Sequence, residues 1–217
     1  DLPKIRAAVD QLIASVIPVV TLVTDLTTTK RIAYVGLDNQ SAGRTAAYLI
    51  AKSIGEGAGT VLTSKSNSLF LGEEEREVAF KVTLSRLCPK LCIVDANGGS
   101  GVHFETARII QSVVEGLDKV RAVYSMGGGN KTILEVLKQN ALRPDIFVAH
   151  DLDNDNRTLI EQGNLSFVLH HDLRVDLQNV FHAFLHHHKL ALEPLETPIS
   201  HIQVITPENI PPFTRRL

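Results

Sequence analysis

Residues 32–44 read IAYVGLDNQSAGR, a β-branched and apolar run that stops at small and hydrogen-bonding residues. The same change recurs in PVVTLVTD (18–25), AVYSMGGGN (122–130), IFVAHDLDND (146–155) and SFVLHHDLR (166–174). In an open α/β sheet, ligands bind beyond the carboxyl ends of parallel strands. The polar residues at these five ends are Asp25, Asp38, Asn39, Asn130, His150, Asp151, His171 and Asp172. The pattern predicts a small-molecule receptor built on a parallel sheet.

The side chains at these strand ends favour one kind of ligand. Aspartate accepts hydrogen bonds, whereas asparagine and neutral histidine can both donate and accept them. An uncharged molecule with many hydroxyl groups satisfies all three residue types. We therefore expect a small polyhydroxylated ligand, bound without a cofactor.

Composition indicates an ordinary globular protein. The 217 residues are 44% hydrophobic and 21% charged, with a formal net charge of −2 and a pI of about 6.5. This length suffices for one large or two small α/β domains. Because a nucleic-acid-binding module usually has a basic patch and a high pI, this chain alone is not expected to bind DNA.

The sequence indicates neither a membrane protein nor a disulfide-rich protein. The sequence shows no signal-peptide-like segment and no apolar run of 18 residues, so no membrane contact is expected. Cys88 and Cys92 are four residues apart, with no further cysteine and no histidine at zinc-finger spacing. Two reduced thiols are expected, which favours a reducing compartment such as the cytoplasm.

Predicted strands alternate with helices of about ten residues, the signature of right-handed βαβ units and a parallel sheet. The predicted strands are 19–23, 32–35, 60–64, 91–95, 122–125, 146–149, 167–169 and 202–205. The predicted helices are 4–16, 41–53, 72–87, 104–115, 131–139, 154–162 and 175–187. The part before residue 55 holds too few strands for a covered sheet. It needs further strands, for which an upstream segment is the expected source, and helix 175–187 could return to cover it.

Three of the candidate residues, Asp38, Asn39 and Arg76, allow a structural interpretation as well as a binding one. Asp38 and Asn39 stand where a strand joins a helix, so they could cap the helix, or one could cap while the other faces the ligand. Arg76 could pair weakly on the surface with Glu73, or its guanidinium fork could clamp adjacent hydroxyls or a carboxylate in a cleft.

The glycine-rich and histidine-rich strand ends do not predict catalysis. Residues 127–130, GGGN, lack both phosphate-loop patterns, so the glycines more simply let a ligand approach the backbone. The histidines at 150, 170 and 171 would have to be assembled across two strands to bind zinc, and no nucleophile motif is present. We expect neither a metal site nor an enzyme.

The strand-end segments together resemble the effector-binding core of the lac-repressor (LacI/GalR-type) family of bacterial transcriptional regulators. The matching pieces, in family order, are IPVVTLVTDL, YVGLDNQSAGRTAAYLI, EEEREVAF, VYSMGGGN, IFVAHDLDNDN and VLHHDLRVDLQNV. The resemblance implies a type I periplasmic-binding-protein-like fold, with two Rossmann-like lobes of parallel sheet joined by hinge crossovers. A sugar or related effector is then held between the lobes.

The resemblance also implies ligand-binding residues. Asp38 stands at the position of a hydroxyl-binding aspartate, and Arg76 at that of a cleft arginine. Asp151 matches an acidic residue at the end of its strand, and His171 falls in the hinge. Asn130 is a looser match, because GGGN replaces the more usual Asn–Asp pair.

The lobes implied by the resemblance are discontinuous in sequence. The N-terminal lobe comprises residues 1–56 and 172–195, and the C-terminal lobe comprises residues 57–171 and 196–217. The family's DNA-binding headpiece is absent from this chain, and so are the first two βα units, which leaves the first lobe truncated at its N-terminus.

The expected function is that of a ligand-sensing and dimerising domain of a cytoplasmic repressor. Sugar binding would change the lobe angle and so modulate DNA binding through a headpiece outside this chain. A homodimer would form partly through apolar surfaces near residues 17–26 and 46–50. The alternative is a periplasmic sugar-binding protein of a transporter.

Overall fold

The computed structural model describes residues 2–27, 30–67, 69–191 and 199–212. The helices are α1 (Pro3–Ala14), α2 (Asn39–Ile54), α3 (Leu71–Leu87), α4 (His103–Val114), α5 (Asn130–Gln139), α6 (Asn154–Glu161) and α7 (Leu173–His187). The strands are β1 (Val20–Leu22), β2 (Ala33–Leu37), β3 (Gly59–Lys65), β4 (Leu91–Asn97), β5 (Val120–Ser125), β6 (Ile146–His150), β7 (Phe167–His170), β8 (Ile199–Ser200) and β9 (Gln203–Ile205). The predicted alternation of strands and helices is confirmed; β8, only two residues long, was not predicted because so short a run has no readable periodicity.

The strands form two sheets. The first has the order β1-β2-β8 and is parallel throughout. The second has the order β4-β3-β5-β6-β7-β9 and is parallel except for β9, which runs antiparallel to β7. The predicted α/β fold with parallel sheets is therefore confirmed, apart from the antiparallel edge strand β9.

Hydrophobic layers cover both faces of the six-stranded sheet. One layer joins the sheet to α4, α5 and α6, through residues such as Ile110, Ile133 and Ile160. The other joins it to α2 and α3, through residues such as Ile50 and Phe80. Because both faces are covered, the strands are nearly continuous apolar runs, as is usual for buried parallel strands.

Helix α7 covers the first sheet, packing against β1 and β2 as predicted for the late helix. After the segment that follows α7, the chain adds β8 to the first sheet and then β9 to the second. The two sheets are therefore linked at several points: after β2, after β7 and between Ser200 and Gln203.

Helix α2 follows a strand of the first sheet but packs on α3 and the second sheet. A Cβ atom added to Gly43 would lie 2.2 Å from the carbonyl oxygen of Arg76, so the two helix backbones are in close contact there. The fully buried residues on this face of α2 are Ala42, Ala46, Ala47 and Ile50. Small residues at helical spacing thus allow α2 to lie against α3.

This packing bears on two expectations from the sequence. One is that residues 1–56, including α2, belong to the N-terminal lobe; the other is that the surface near residues 46–50 contributes to a homodimer. A helix that follows a strand usually covers that strand's own sheet, whereas α2 crosses to the other sheet. Ala46, Ala47 and Ile50 are 0% exposed within the chain's own core, so they cannot supply apolar area to a dimer interface. In the range 196–217, β8 pairs with the first sheet and β9 with the second; the lobe boundaries themselves remain a prediction.

Replacing Gly43 with alanine tests the close contact between α2 and α3. The added methyl group has no space beside the Arg76 carbonyl, so we expect the free energy of unfolding to fall by about 1–3 kcal/mol despite alanine's better helix propensity. Chemical denaturation measures this change. Ser53→Ala, at an exposed position of the same helix, is the control and should change stability by less than about 0.5 kcal/mol; equal stabilities of Gly43→Ala and the parent would contradict the packing described.

Candidate functional site

A cleft of about 360 Å³ lies where ends of strands from both sheets meet. The first sheet contributes Val23 and Thr24, which follow β1. The second sheet and α3 contribute Phe70, Gly72, Glu73, Arg76, Met126, Gly127, Gly128, His150, Asp151 and Asp153. The cleft therefore occupies the place at which parallel α/β sheets bind ligands.

The backbone is strained on both walls of this cleft. Val23 on one wall and Asp151 on the other adopt left-handed conformations, with φ of 66° and 63°. This region is unfavourable for residues other than glycine, and for a β-branched residue such as valine it is rare. Such strain, on the order of 1 kcal/mol or more per residue, concentrates at ligand sites, where the surrounding structure fixes the conformation.

Arg76 is buried and lies in the cleft lining. Its Nε donates to Oδ1 of Asn39 at 2.8 Å, and its Nη1 donates to the carbonyl oxygen of Met126 at 3.0 Å. The surface pair with Glu73 is not formed, because the Glu73 carboxylate accepts hydrogen bonds from the backbone and the hydroxyl of Ser66, at 2.7 and 2.5 Å. The guanidinium is thus held in one orientation beside the cleft.

Asp38 and Asn39 divide the two roles that the sequence left open. Asp38 caps α2, accepting from the Ser41 N–H at 2.8 Å, and its exposed side chain is not among those that line the cleft. Asn39 is buried and holds Arg76. The geometry therefore gives Asp38 a capping role; a ligand contact by Asp38 remains a prediction of the family resemblance.

Asn130 supports the cleft indirectly, through a hydrogen bond to Asn156. It is buried at the start of α5, and its Nδ2 donates to Oδ1 of Asn156 at 2.7 Å. Asn156 in turn donates to the carbonyl oxygens of His150 and Asp151, at 2.9 and 2.7 Å. Gly127 and Gly128, rather than Asn130, line the cleft, so Asn130 acts through the backbone that carries Asp151.

Asp151 presents its carboxylate to the cleft. The Asp151 N–H donates to the Leu169 carbonyl oxygen at 2.9 Å, which fixes the backbone, while the side chain stays about half exposed. His171 Nε2 lies 3.7 Å from Asp151 Oδ1. The carboxylate is therefore free to accept hydrogen bonds from a ligand.

His171 belongs to a buried network at the crossover rather than to the lining of the cleft. Its Nδ1 donates to Asp176 Oδ2 at 2.6 Å, and Ser200 Oγ donates to the other oxygen of the same carboxylate. Asp176 is 0% exposed on α7, and Ser200 lies in β8. The network thus ties the end of β7 to two elements of the first sheet, which agrees with the hinge position implied by the resemblance.

His150 is a cleft residue that the sequence identified at a strand end but did not select for ligand binding. It is 3% exposed and borders the cleft. Burial, with a smaller contribution from the nearby Arg76, lowers the pKa of His150 well below 6.5. In β2, burial raises the pKa of Tyr34 to about 12, and its hydroxyl lies 3.1 Å from the Val23 and Leu37 carbonyl oxygens. Both residues are therefore neutral near pH 7.

A larger groove of about 490 Å³ lies elsewhere, between the ends of α2 and α3. Its lining includes Tyr48, Lys52 and Leu87 and contains no strand end. Since this groove has no converging buried hydrogen-bonding groups, we take the cleft as the candidate site.

Among the described residues, no group of three or more His, Cys, Asp or Glu side chains is placed to hold a metal ion, and none of the helices described is both long and apolar enough to span a membrane.

Comparison with known proteins identifies the family. Residues 1–174 match the model of the periplasmic binding protein domain. The chain belongs to this family. No curated protein gives a significant match.

Solved structures share the type I periplasmic-binding-protein fold. A glucose-galactose binding protein from Geobacillus stearothermophilus, GanP, is 19% identical, with a TM-score of 0.80 over 94% of this chain and 73% of its own. The fructose-binding periplasmic domain of a hybrid two-component system is 22% identical, with a TM-score of 0.82 over 94% and 68%. A protein from Bacteroides fragilis assigned as a LacI transcriptional regulator is 19% identical, with a TM-score of 0.78 over 96% and 73%. At these identities the likeness establishes the fold.

The neutral state of buried His150 predicts a pH dependence of stability. In the unfolded chain His150 takes up a proton as the pH falls through about 6.5, whereas in the folded chain it does not, so the free energy of unfolding should fall between pH 7.5 and 5.5. In His150→Phe that fall should be smaller by on the order of 1 kcal/mol, measured by chemical denaturation at both pH values. The exposed-site control His182→Phe should behave as the parent; an unchanged pH dependence in His150→Phe would show that His150 is not buried in its neutral form.

Proposed function

We propose that this domain binds a sugar, or a related small polyhydroxylated molecule, in the cleft between its two sheets. The observation that carries the proposal is the convergence of the buried, oriented Arg76 guanidinium and the Asp151 carboxylate on one cleft at the strand ends. Arg76 offers a donor, and Asp151 offers an acceptor. Hydroxyl groups both donate and accept, so a sugar satisfies both sets.

Phe70 supports a ligand of this class. It is 44% exposed at the entrance to α3 and lines the cleft. The face of an aromatic ring packs well against the C–H groups of a sugar ring, while its own apolar area is otherwise left in water. The solved structures described as binding glucose and galactose, or fructose, have the same fold, which agrees with this proposal.

We further propose that the domain is the ligand-sensing and dimerising part of a bacterial transcriptional regulator that acts in the cytoplasm. The His171–Asp176–Ser200 network crosses from one sheet to the other, so a change in the lobe angle on binding would be transmitted through it. A two-fold dimer would match a palindromic operator, which a headpiece outside this chain would read. The likeness to the LacI regulator from Bacteroides fragilis supports this role.

The second candidate is a periplasmic sugar-binding protein of a transporter. The likeness to GanP and to other sugar-binding proteins favours it. The full-length product of the gene distinguishes the two roles. A regulator binds operator DNA with an affinity that changes on addition of the sugar and sediments as a dimer at micromolar concentration; a transporter protein sediments as a monomer and does not bind DNA.

The sugar proposal predicts the effect of losing each charged cleft residue. Arg76→Ala and Asp151→Asn should each lower the affinity for the cognate sugar about tenfold or more, because each removes a charged hydrogen-bonding partner worth on the order of 1.5–3 kcal/mol. Isothermal titration calorimetry against neutral monosaccharides measures this. The matched controls are Arg86→Ala on the exposed end of α3 and Asp155→Asn on α6. Parent-like affinity of both cleft variants would show that the ligand binds elsewhere.

A further inference from the structure

Tyr124 and His150 form a buried pair on neighbouring strands of the second sheet. The Tyr124 hydroxyl lies 2.8 Å from Nε2 of His150, with the ring centroids 5.6 Å apart. Phe80 also packs against Tyr124, at a centroid distance of 4.5 Å. Tyr124 is 0% and His150 3% exposed, so neither ring can reorient without disturbing the core.

The chemistry of this pair favours one direction for its hydrogen bond. A buried phenol keeps its proton, since burial raises the pKa of Tyr124 further above 10. Among the described residues, His150 Nε2 is the partner of the Tyr124 hydroxyl, and only with Tyr124 as the donor does the phenol O–H have an acceptor there. A neutral imidazole with Nε2 as the acceptor carries its proton on Nδ1.

The Nδ1–H of His150 has no partner in the described part of the chain, although the atom is buried. Buried N–H groups in folded proteins are nearly always hydrogen-bonded to protein, water or ligand. His150 also borders the cleft, close to Arg76 and beside Asp151. A ligand oxygen in the cleft is a partner of the chemistry that this donor requires.

We infer that His150 contacts the ligand and determines specificity, with its Nδ1–H donating to a ligand oxygen, and that Tyr124 is the positioning residue that keeps the proton on Nδ1. The inference rests on the proposed sugar-binding function and narrows the ligand class. At this point the ligand carries a hydroxyl, carbonyl or carboxylate oxygen. A protonated amine is excluded there, because the Nδ1–H and the Arg76 guanidinium both present positive hydrogen atoms.

Calorimetry with defined sugars tests the ligand contact. The probes are D-glucose, D-galactose, D-fructose and L-arabinose, with D-glucosamine and D-galactosamine as amino counterparts of the first two. We expect the parent to bind at least one neutral sugar. His150→Phe, which keeps an aromatic ring but removes both nitrogens, should bind that sugar about tenfold more weakly. The exposed-site controls His182→Phe and Tyr48→Phe should bind as the parent does.

Nitrogen-15 NMR of the histidine side chains tests the tautomer independently of affinity. At pH 7.5 the parent should show His150 protonated on Nδ1, and the bound sugar should shift that N–H resonance. Tyr124→Phe removes the group that fixes the tautomer, so we expect a mixture of Nδ1–H and Nε2–H forms together with weaker sugar binding. A purely structural role for Tyr124 would leave the tautomer unchanged.

The outcomes separate this inference from the proposed function. Binding of a neutral sugar with equal affinity by the parent and by folded His150→Phe contradicts the inference alone. A His150 protonated on Nε2 in the parent contradicts it too, and this result does not depend on any variant folding. Failure of the parent to bind all of the sugars contradicts the proposed function and, with it, the inference.

Discussion

The close contact between α2 and α3 is the constraint on which the rest of the site depends. Only a residue without a side chain fits at position 43, where a Cβ atom would lie 2.2 Å from the Arg76 carbonyl oxygen. The same pair of helices places Asn39 within 2.8 Å of Arg76 Nε. Since α2 begins directly after β2 of the first sheet, the contact joins the two sheets and orients the cleft arginine in a single arrangement.

The cleft contains charged side chains that already have hydrogen-bonding partners and a buried histidine that is neutral. Together these groups determine which class of ligand fits the cleft. Arg76 is already held by Asn39 and Met126, and Glu73 by Ser66, so these residues need little reorganisation on binding. His150 is neutral because it is buried. Such preorganised donors and acceptors favour a ligand that brings hydroxyl groups rather than a net charge of its own.

Much of the fold follows from local sequence pattern, whereas the roles of individual side chains depend on tertiary packing. The alternation of apolar runs and helices predicted the strands of both sheets except the two-residue β8, and the rule for strand ends placed Asp151 near the cleft. The cleft position of Arg76, on a helix, follows instead from the family resemblance. The pattern could not show that α2 crosses to the second sheet, because its small residues look alike whichever sheet they face. Nor could it show that Asp38 caps while Asn39 holds Arg76, since adjacent polar residues at a helix start can exchange these roles. The roles of Asn130 and His150 depend on Asn156 and Tyr124, each 26 residues away from its partner, and no local signal reports such a pair.

A crystal structure of the domain with a bound neutral monosaccharide would locate the binding site directly. The sugar should lie between the two sheets, touching Thr24 on one wall and Arg76 and Asp151 on the other. A sugar bound instead in the groove between the ends of α2 and α3, against Tyr48 and Leu87, would contradict this placement of the site.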